Sequence, residues 1–90
     1  MDLSHKLKEL DHWTLVRGKA IRKTFNFKDF KSALKFVNKI GKIAEALGHH
    51  PDISIFSYNK VKITLTTHSI GTLSEKDFIV ATKIDKLLRA

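Results

Sequence analysis

Cysteine is absent from this 90-residue chain, and proline, tryptophan and tyrosine each occur once. The missing thiols exclude disulfides, thiolate nucleophiles and cysteine-ligated zinc, so any catalysis must use His, Asp, Glu, Lys or hydroxyl groups. Long hydrophobic runs are also missing. No apolar stretch approaches the roughly 20 residues that span a bilayer, and the N-terminus has no apolar run after a basic region. We therefore expect a soluble, cytoplasmic protein.

The chain length predicts a single domain over residues 1–90. A chain this short buries only about 60 to 65% of its unfolded surface, which leaves it marginally stable alone. Association with further copies of itself would add buried area, so we expect self-association.

The net charge is strongly positive: 17 Lys and Arg stand against nine Asp and Glu, which gives +8. Such a field attracts nucleic acid, anionic lipid or a phosphorylated small molecule. The basic residues are spread from Lys6 to Arg89 without a run longer than two, and no aromatic-basic nucleic-acid motif accompanies them. Solvated lysines on an amphipathic fold explain this pattern more simply, so nucleic acid is not the expected partner.

The first third of the chain has the pattern of a helix followed by a β-hairpin. Leucines at positions 3, 7 and 10 recur at helical spacing and predict a helix over about residues 3–10. Residues 13–17 and 20–25 are β-rich runs joined by Gly18 and Lys19, which is a hairpin signature.

A long amphipathic helix is predicted from Lys28 onwards. Its expected core face recurs at spacings of three and four: Phe30, Ala33, Leu34, Val37, Ile40, Ala44 and Leu47. Asn26 is its expected N-cap, with Asp29 at N3, and Gly48 is its expected C′ residue. Pro51 disfavours the α region for His50, so the two adjacent histidines lie where this helix must end.

A second hairpin is predicted over residues 53–58 and 61–68, with Asn59 and Lys60 as the tight connection. Its second strand alternates between two rows, which are an apolar row of Val61, Ile63 and Leu65 and a polar row of Lys62, Thr64, Thr66 and His68. One side of this strand should therefore lie under the helices, and His68 should end its polar side.

The last helix begins with a capping-box pattern at residues 74–77, in which Asp77 takes the place of glutamate. Its expected buried stripe is Val80, Ala81, Ile84, Leu87 and Leu88. The order of elements is then α-β-β-α-β-β-α. Hairpins separated by long helices favour an α+β fold, in which the helices pack on one face of an antiparallel sheet.

The spacing of polar residues between Glu45 and Asp77 resembles the signature of the pterin-4a-carbinolamine dehydratase family. Glu45 is followed after three residues by His49-His50-Pro51, after six more by Tyr58, after nine more by His68 and after eight more by Asp77. Further similar positions are Trp13 and residues 25–30, 58–61, 67–68 and 73–74, so the resemblance extends over most of the chain.

The resemblance implies a four-stranded antiparallel sheet with helices on one side, assembled as a homodimer or homotetramer. It also implies dehydration of 4a-hydroxytetrahydrobiopterin to the quinonoid dihydropterin, a step in tetrahydrobiopterin regeneration for aromatic amino acid hydroxylases. No metal and no organic cofactor takes part in that reaction. Some relatives also act as dimerisation cofactors of a homeodomain transcription factor, so a protein-interaction module without required catalysis is the alternative function.

Carried over from the family, the catalytic residues are His49, His50 and His68, and the substrate-binding residues are Glu45, Pro51, Thr66, Thr67, Ser69 and Asp77. Loss of water needs a base for the N5 proton and an acid for the departing hydroxyl. Imidazole, with an unperturbed pKa near 6.5, can serve in either role near neutral pH. We expect His50 to act as the base, His49 or His68 as the acid, and Glu45 to orient or charge His49 one helical turn away.

Simpler explanations exist for parts of this motif. Asp77 has a structural role available as the N3 residue of a capped helix, and Glu45 could be a solvated helix residue. Three histidines could bind zinc, although no HxH or HExxH pair is present. The sequence also departs from the family at residues 69–73, where an acidic residue and a Gly-Gly-Leu-like run are common, and at residues 52–53, where an aromatic is common.

Overall fold

The computed structural model describes residues 4–88 and has the α-β-β-α-β-β-α order that the sequence predicts. The elements are α1 (Ser4–Glu9), β1 (Thr14–Val16), β2 (Ala20–Asn26), α2 (Phe30–Leu47), β3 (Asp52–Phe56), β4 (Lys60–Leu65) and α3 (Glu75–Lys86), with a 3-10 turn at His68–Ile70 between β4 and α3. The first predicted helix is confirmed for Ser4–Glu9, and the start of the predicted range, residue 3, lies outside the described residues.

The four strands form one antiparallel sheet in the order β1-β2-β4-β3. The register places Ile21 beside Leu65 and Phe25 beside Val61, so the apolar rows of neighbouring strands share one face. This face packs against the helices, and the apolar side chains of its two central strands are buried: Ile21, Phe25, Val61, Ile63 and Leu65. Because side chains alternate along a strand, the opposite face carries the polar rows and bears no buried residue. We call it the open face.

The turns of both hairpins use residues with positive φ. Arg17 and Gly18 have φ of 54° and 70° in the first turn, where the N–H of Lys19 donates to the carbonyl of Val16. In the second turn Ser57 and Tyr58 have φ of 48° and 54°. The predicted Asn59-Lys60 connection is therefore wrong: the turn lies at 57–59, and residue 60 already pairs in β4.

Helix α2 begins one turn later than the sequence pattern suggests. Asn26 is the last residue of β2, and Asp29 is the N-cap, because its Oδ1 accepts the backbone N–H of Ser32 at 2.8 Å. That hydrogen bond, together with one from the Ser32 side chain, holds the pKa of Asp29 below its ordinary value of 3.8. The predicted end is confirmed, because Gly48 has a left-handed φ of 63° and its N–H donates to the carbonyl of Ala44.

The buried face of α2 differs in part from the predicted one. Ala33, Phe36, Ile40 and Ala44 are buried, whereas Phe30, Leu34 and Leu47 are exposed and Val37 is half-buried. The predicted face combined two neighbouring stripes. At about 100° per residue, positions 30, 34, 37 and 41 lie roughly 80° around the helix from the buried row.

Helix α3 begins with the predicted capping box, in which Ser74 and Asp77 cap each other. Val80, Ala81 and Ile84 are buried and Leu87 is half-buried, but Leu88 lies past the helix end and is exposed. The expectation for Leu88 was wrong, because the buried stripe continues instead into Asp85.

A buried polar network ties Asp85 to the sheet. The indole N–H of Trp13 lies 3.0 and 3.2 Å from the two carboxylate oxygens of Asp85, and Lys23 Nζ lies 2.9 Å from Oδ1. The same ammonium group lies 4.8 Å from the centre of the Phe25 ring. A lysine on the helix-facing side of β2 is thus accommodated by a carboxylate and an aromatic face.

Strand β4 ends earlier than predicted. Its apolar row is fully buried as expected, but the strand stops at Leu65, and His68 begins the 3-10 turn instead of ending the polar row. No helix among residues 4–88 is long and apolar enough to cross a membrane.

Candidate active site

Three chain segments meet beside the predicted site residues: the end of α2, the start of α3 and the turn after β4. Gly48 releases the chain from α2 in a left-handed conformation, so His49 leaves the helix axis and faces α3. A bridge between Thr67 and Thr72 closes the turn that contains His68. The end of α2, the start of α3 and the turn after β4 therefore lie together in one region.

The centre of this region is the carboxylate of Asp77, which is fully buried. Its Oδ1 atom lies 2.6 Å from Nε2 of His49, a ring that is 12% exposed. Its Oδ2 atom accepts the hydroxyl of Thr67 at 2.8 Å and the backbone N–H of Ser74 at 2.9 Å. Asp77 is thus both the helix cap and the partner of a histidine.

The donors in this network follow from the number of available hydrogens. An ionised carboxylate only accepts, so His49 Nε2 and the Thr67 hydroxyl must donate to it. Thr67 has one hydroxyl hydrogen, so the Ser74 hydroxyl, 2.7 Å away, donates to Thr67. In the neutral ring of His49 the proton is then fixed on Nε2, and Nδ1 carries the lone pair.

The second histidine has a different environment. His50 Nε2 is hydrogen-bonded to Oε2 of Glu45, and the two side chains are 62% and 78% exposed. The expected contact between Glu45 and His49 is therefore wrong. Helical spacing does not apply here, because Gly48 turns the chain out of the helix before either histidine.

The third histidine, His68, is exposed in the 3-10 turn and follows Thr67 directly. Within residues 4–88 no hydrogen bond joins His68 to His49 or His50. Thr67, the neighbour of His68, shares Asp77 with His49, and the convergence of the three imidazoles stays a prediction. The substrate-binding roles of the nearby residues stay predictions. The Thr66 hydroxyl donates to the carbonyl of Lys19 at 2.7 Å, Pro51 is half-buried and Ser69 is exposed.

A small apolar crevice of about 80 Å³ adjoins His49, lined by Leu47, His49, Lys76, Ile79 and Val80. A larger cavity of about 500 Å³ lies between α1 and α3 and is lined by none of the three histidines. Among residues 4–88, no group of three or more His, Asp or Glu side chains is placed to hold a metal ion.

Sequence reasoning missed two features of the site. Ser74 enters the hydrogen-bond chain through its side chain as well as its backbone, whereas the sequence pointed to it only as a capping residue and as one of the positions similar to the family. The pairing of His49 with Asp77 spans 28 residues, and no local spacing could have shown it.

Comparison with known proteins gives a consistent result. The family model described as pterin 4 alpha carbinolamine dehydratase matches residues 1–87. A protein of Nostoc sp., provisionally named as such a dehydratase, is 49% identical over 87 residues, covering 97% of this chain and 91% of the relative. A protein of Sulfurisphaera tokodaii with the same provisional name is 45% identical over 87 residues, again covering 97% and 91%.

Solved structures agree with this likeness. The crystal structure of a transcriptional coactivator/pterin dehydratase from Brucella melitensis superimposes with a TM-score of 0.89 at 38% identity, covering 97% of this chain and 93% of that one. A pterin dehydratase-like protein identified as a RuBisCO assembly factor in the alpha-carboxysome gives a TM-score of 0.71 at 24% identity, covering 86% and 89%. The second comparison shows likeness of fold alone.

Proposed function

Because the chain belongs to the pterin 4 alpha carbinolamine dehydratase family, we propose that it eliminates water from 4a-hydroxytetrahydropterins. The observation that carries the proposal is the placement of two histidine–carboxylate pairs, His49–Asp77 and His50–Glu45, at one helix end. The product is the quinonoid dihydropterin, and the pathway is tetrahydrobiopterin regeneration.

The reaction needs two proton transfers. A base removes the N5 proton, the electron pair forms the C4a–N5 double bond, and the C4a–O bond breaks as an acid protonates the departing hydroxyl to water. The proton taken by the base returns to the acid through solvent, so the enzyme is unchanged. A positioned imidazole in either role contributes roughly 10² to 10⁴ in rate.

We assign the base to His50. Its Nε2–H donates to the carboxylate of Glu45, which leaves the Nδ1 lone pair available to accept the N5 proton. The exposure of this ring leaves it accessible for direct contact with a substrate. Glu45 would also stabilise the imidazolium that forms.

We assign the acid to His68 and an orienting role to His49. His68 is exposed, whereas Nε2 of His49 is bound to buried Asp77 and the ring is largely covered. A ring held in this way is suited to position the substrate through Nδ1. Main-chain groups of Thr66, Thr67 and Ser69 would line the pterin, since the two threonine hydroxyls already donate within the chain.

The direct test is the decay of chemically made 4a-hydroxytetrahydrobiopterin, followed by absorbance with and without the purified protein. We expect a rate well above buffer, and a loss of about 10² to 10⁴ in the His50→Ala and His68→Ala variants. His5→Ala, a matched change in exposed α1, should keep the parental rate. A folded parent protein with no rate above buffer would overturn the proposal.

We further propose that copies associate through α2. Phe30, Leu34, Val37 and Gly41 form an unburied stripe at spacings of four, three and four, as in a helix–helix seam. A Cβ at Gly41 would meet nothing within 4 Å, so nothing within the protomer requires a glycine that costs the helix about 1 kcal/mol relative to Ala. Close approach of another helix would account for it.

A second copy is the partner that the charges favour. Lys31 lies seven residues before Asn38, and Glu45 lies seven residues after it. If two α2 helices pack antiparallel and cross at Asn38, Lys31 of one copy lies opposite Glu45 of the other. The unpaired edge of β3 offers a second surface, and the two together would give a tetramer.

Light scattering after size exclusion tests this association. The parent should be a dimer or tetramer, and Leu34→Lys or Gly41→Leu should lower its mass while circular dichroism stays unchanged. Lys35→Gln, on the opposite side of α2, should leave the mass unchanged. A monomeric parent at micromolar concentration would contradict the association.

The same stripe supports the alternative function, a protein-interaction module that docks another protein's helix on α2. The two functions separate by variant: His50→Ala should abolish dehydration and leave α2-mediated association intact, whereas Leu34→Lys should do the reverse. Dehydration by the parent favours the enzyme, and association without dehydration favours the module.

A further inference from the structure

The open face of the sheet carries an excess of positive charge. Its charged side chains are Arg22, Lys60 and Lys62 against the single acid Asp52. Its other members are mostly polar: Thr14, Val16, Ala20, Thr24, Asn26, Ser54, Phe56 and Thr64. Among residues 4–88 no helix covers this face, and none of the residues named above is buried.

The register aligns the three basic residues in consecutive rows. Arg22 pairs with Thr64, so it occupies the row next to Lys62, and Lys60 occupies the row after that. Rows two residues apart along a strand are about 6.6 Å apart. The Arg22 Nε–H donates to the Thr64 hydroxyl at 3.2 Å, which holds the guanidinium beside β4.

Aromatic side chains lie at the end of this row. Phe56 belongs to the row of Lys60 and is 40% exposed, and Lys62 Nζ lies 6.0 Å from its ring centre. Tyr58, in the turn just beyond, is 65% exposed. The opposite end of the sheet adds Arg17 and Lys19 in the exposed first turn.

We propose that the open face binds single-stranded nucleic acid. Basic side chains at regular spacing can pair with the regularly spaced phosphates of an extended strand. Exposed aromatic rings can stack with its unpaired bases. A duplex would present its phosphates but no free base faces to Phe56 and Tyr58. The net charge of +8 would draw the strand to the protein.

The sequence alone argued against such a partner because its basic residues are scattered. The sheet removes that objection in part, since pairing of β2 with β4 brings Arg22 beside Lys62 and Lys60, which already share one side of β4. The histidine site lies beyond the ends of α2 and β4 and shares no residue with the face. Nucleic-acid binding is therefore separable from the proposed dehydration.

Fluorescence anisotropy tests the proposal with labelled oligo(U) and oligo(dT) of about 12 nucleotides, within the site sizes known for such grooves. We expect the logarithm of the association constant to fall linearly with the logarithm of the salt concentration, with a slope of about −2. Each phosphate neutralised on a single strand contributes roughly −0.7 to this slope, and three basic residues are available. Lys60→Gln and Lys62→Gln should each reduce the slope by about 0.7. Phe56→Ala should weaken binding at least about 5-fold, the loss expected from one stacked base.

Matched controls distinguish binding at the open face from nonspecific attraction by the positive net charge of the protein. Lys35→Gln and Lys39→Gln on exposed α2 change the net charge equally and should leave slope and affinity unchanged. All sheet variants should retain the parental rate of pterin dehydration. The proposal would be overturned if no binding occurred at low salt. It would also be overturned if the α2 variants weakened binding as much as the sheet variants, or if a duplex bound equally tightly and Phe56→Ala had no effect on its binding.

Discussion

Nε2 of His49 lies 2.6 Å from Oδ1 of Asp77, a carboxylate with no solvent exposure whose other oxygen is held by Thr67 and Ser74. The pair joins the residue that follows α2 to the first turn of α3. One side chain thus caps a helix and fixes the proton of a candidate catalytic ring.

Replacing Asp77 by Asn should lower kcat by about two orders of magnitude with little change in folding. The Asn oxygen can still accept from Thr67 and Ser74, but its amide then faces His49 as a donor and forces the ring proton onto Nδ1. Ring ¹⁵N shifts should report this change of tautomer. Thr67→Val, which leaves Oδ1 untouched, should keep the parental tautomer. A parental kcat and tautomer in Asp77→Asn would contradict the positioning role.

Glu45→Gln should reduce kcat about 10-fold, because an amide orients His50 less strongly and does not stabilise its charged form. Both partners are exposed, so the urea midpoint should hardly change, as surface pairs contribute about 0 to 1 kcal/mol. Kinetics and urea unfolding on the same preparations check both points. A Glu45→Gln enzyme with the parental kcat would remove Glu45 from the mechanism.

Asp29→Ala should lower the urea midpoint at neutral pH, because the cap of α2 is lost. The folded-state pKa of Asp29 is depressed, so its stabilisation is present above the ordinary value of 3.8 and is lost as pH falls through the folded value. The difference between parent and variant should therefore shrink on acidification to pH 3 or so. Neither Ser nor Ala titrates, so the difference in stability between Asp29→Ser, which caps without a charge, and Asp29→Ala should stay constant over the same pH range.

Asp85→Asn should destabilise the fold by about 3 kcal/mol, because it leaves the ammonium of Lys23, 14% exposed, without its countercharge. Adding Lys23→Met should recover most of this loss, since the Asn oxygen still accepts the Trp13 N–H and no charge remains. Urea unfolding of the two variants measures the difference. Equal stability of the single and double variants would show that the ion pair is not the cause.

Phe36→Ala should cost about 3 to 5 kcal/mol, since this ring is buried against Phe25 and Phe27. Phe30→Ala, on the same helix but half exposed, should change the free energy of unfolding of the monomer far less. Thermal unfolding at low protein concentration, where association contributes least, compares them. A larger loss at Phe30 would mean that the sequence-based core face was the better one.

Local patterns in the sequence predicted most of the fold. The alternation in β4, the capping box at Ser74 and the left-handed Gly48 each depend on residues within a few positions of one another, and all three are confirmed. The errors occurred where two local patterns competed. On α2 two adjacent stripes were read as one, and the connection of the second hairpin was predicted at Asn59 and Lys60, whereas the turn lies at residues 57–59.

The sequence by itself determined the order of helices and strands, the end of α2 at Gly48, the capping box of α3 and the family to which the chain is similar, because periodicity and spacing encode neighbours within one element. Only the tertiary structure decided that His49 pairs with Asp77 while Glu45 pairs with His50, that Trp13 reaches Asp85 across 72 residues, and that scattered basic residues align on the open face. These contacts depend on strand register and on the packing of helices against the sheet, which no local pattern records.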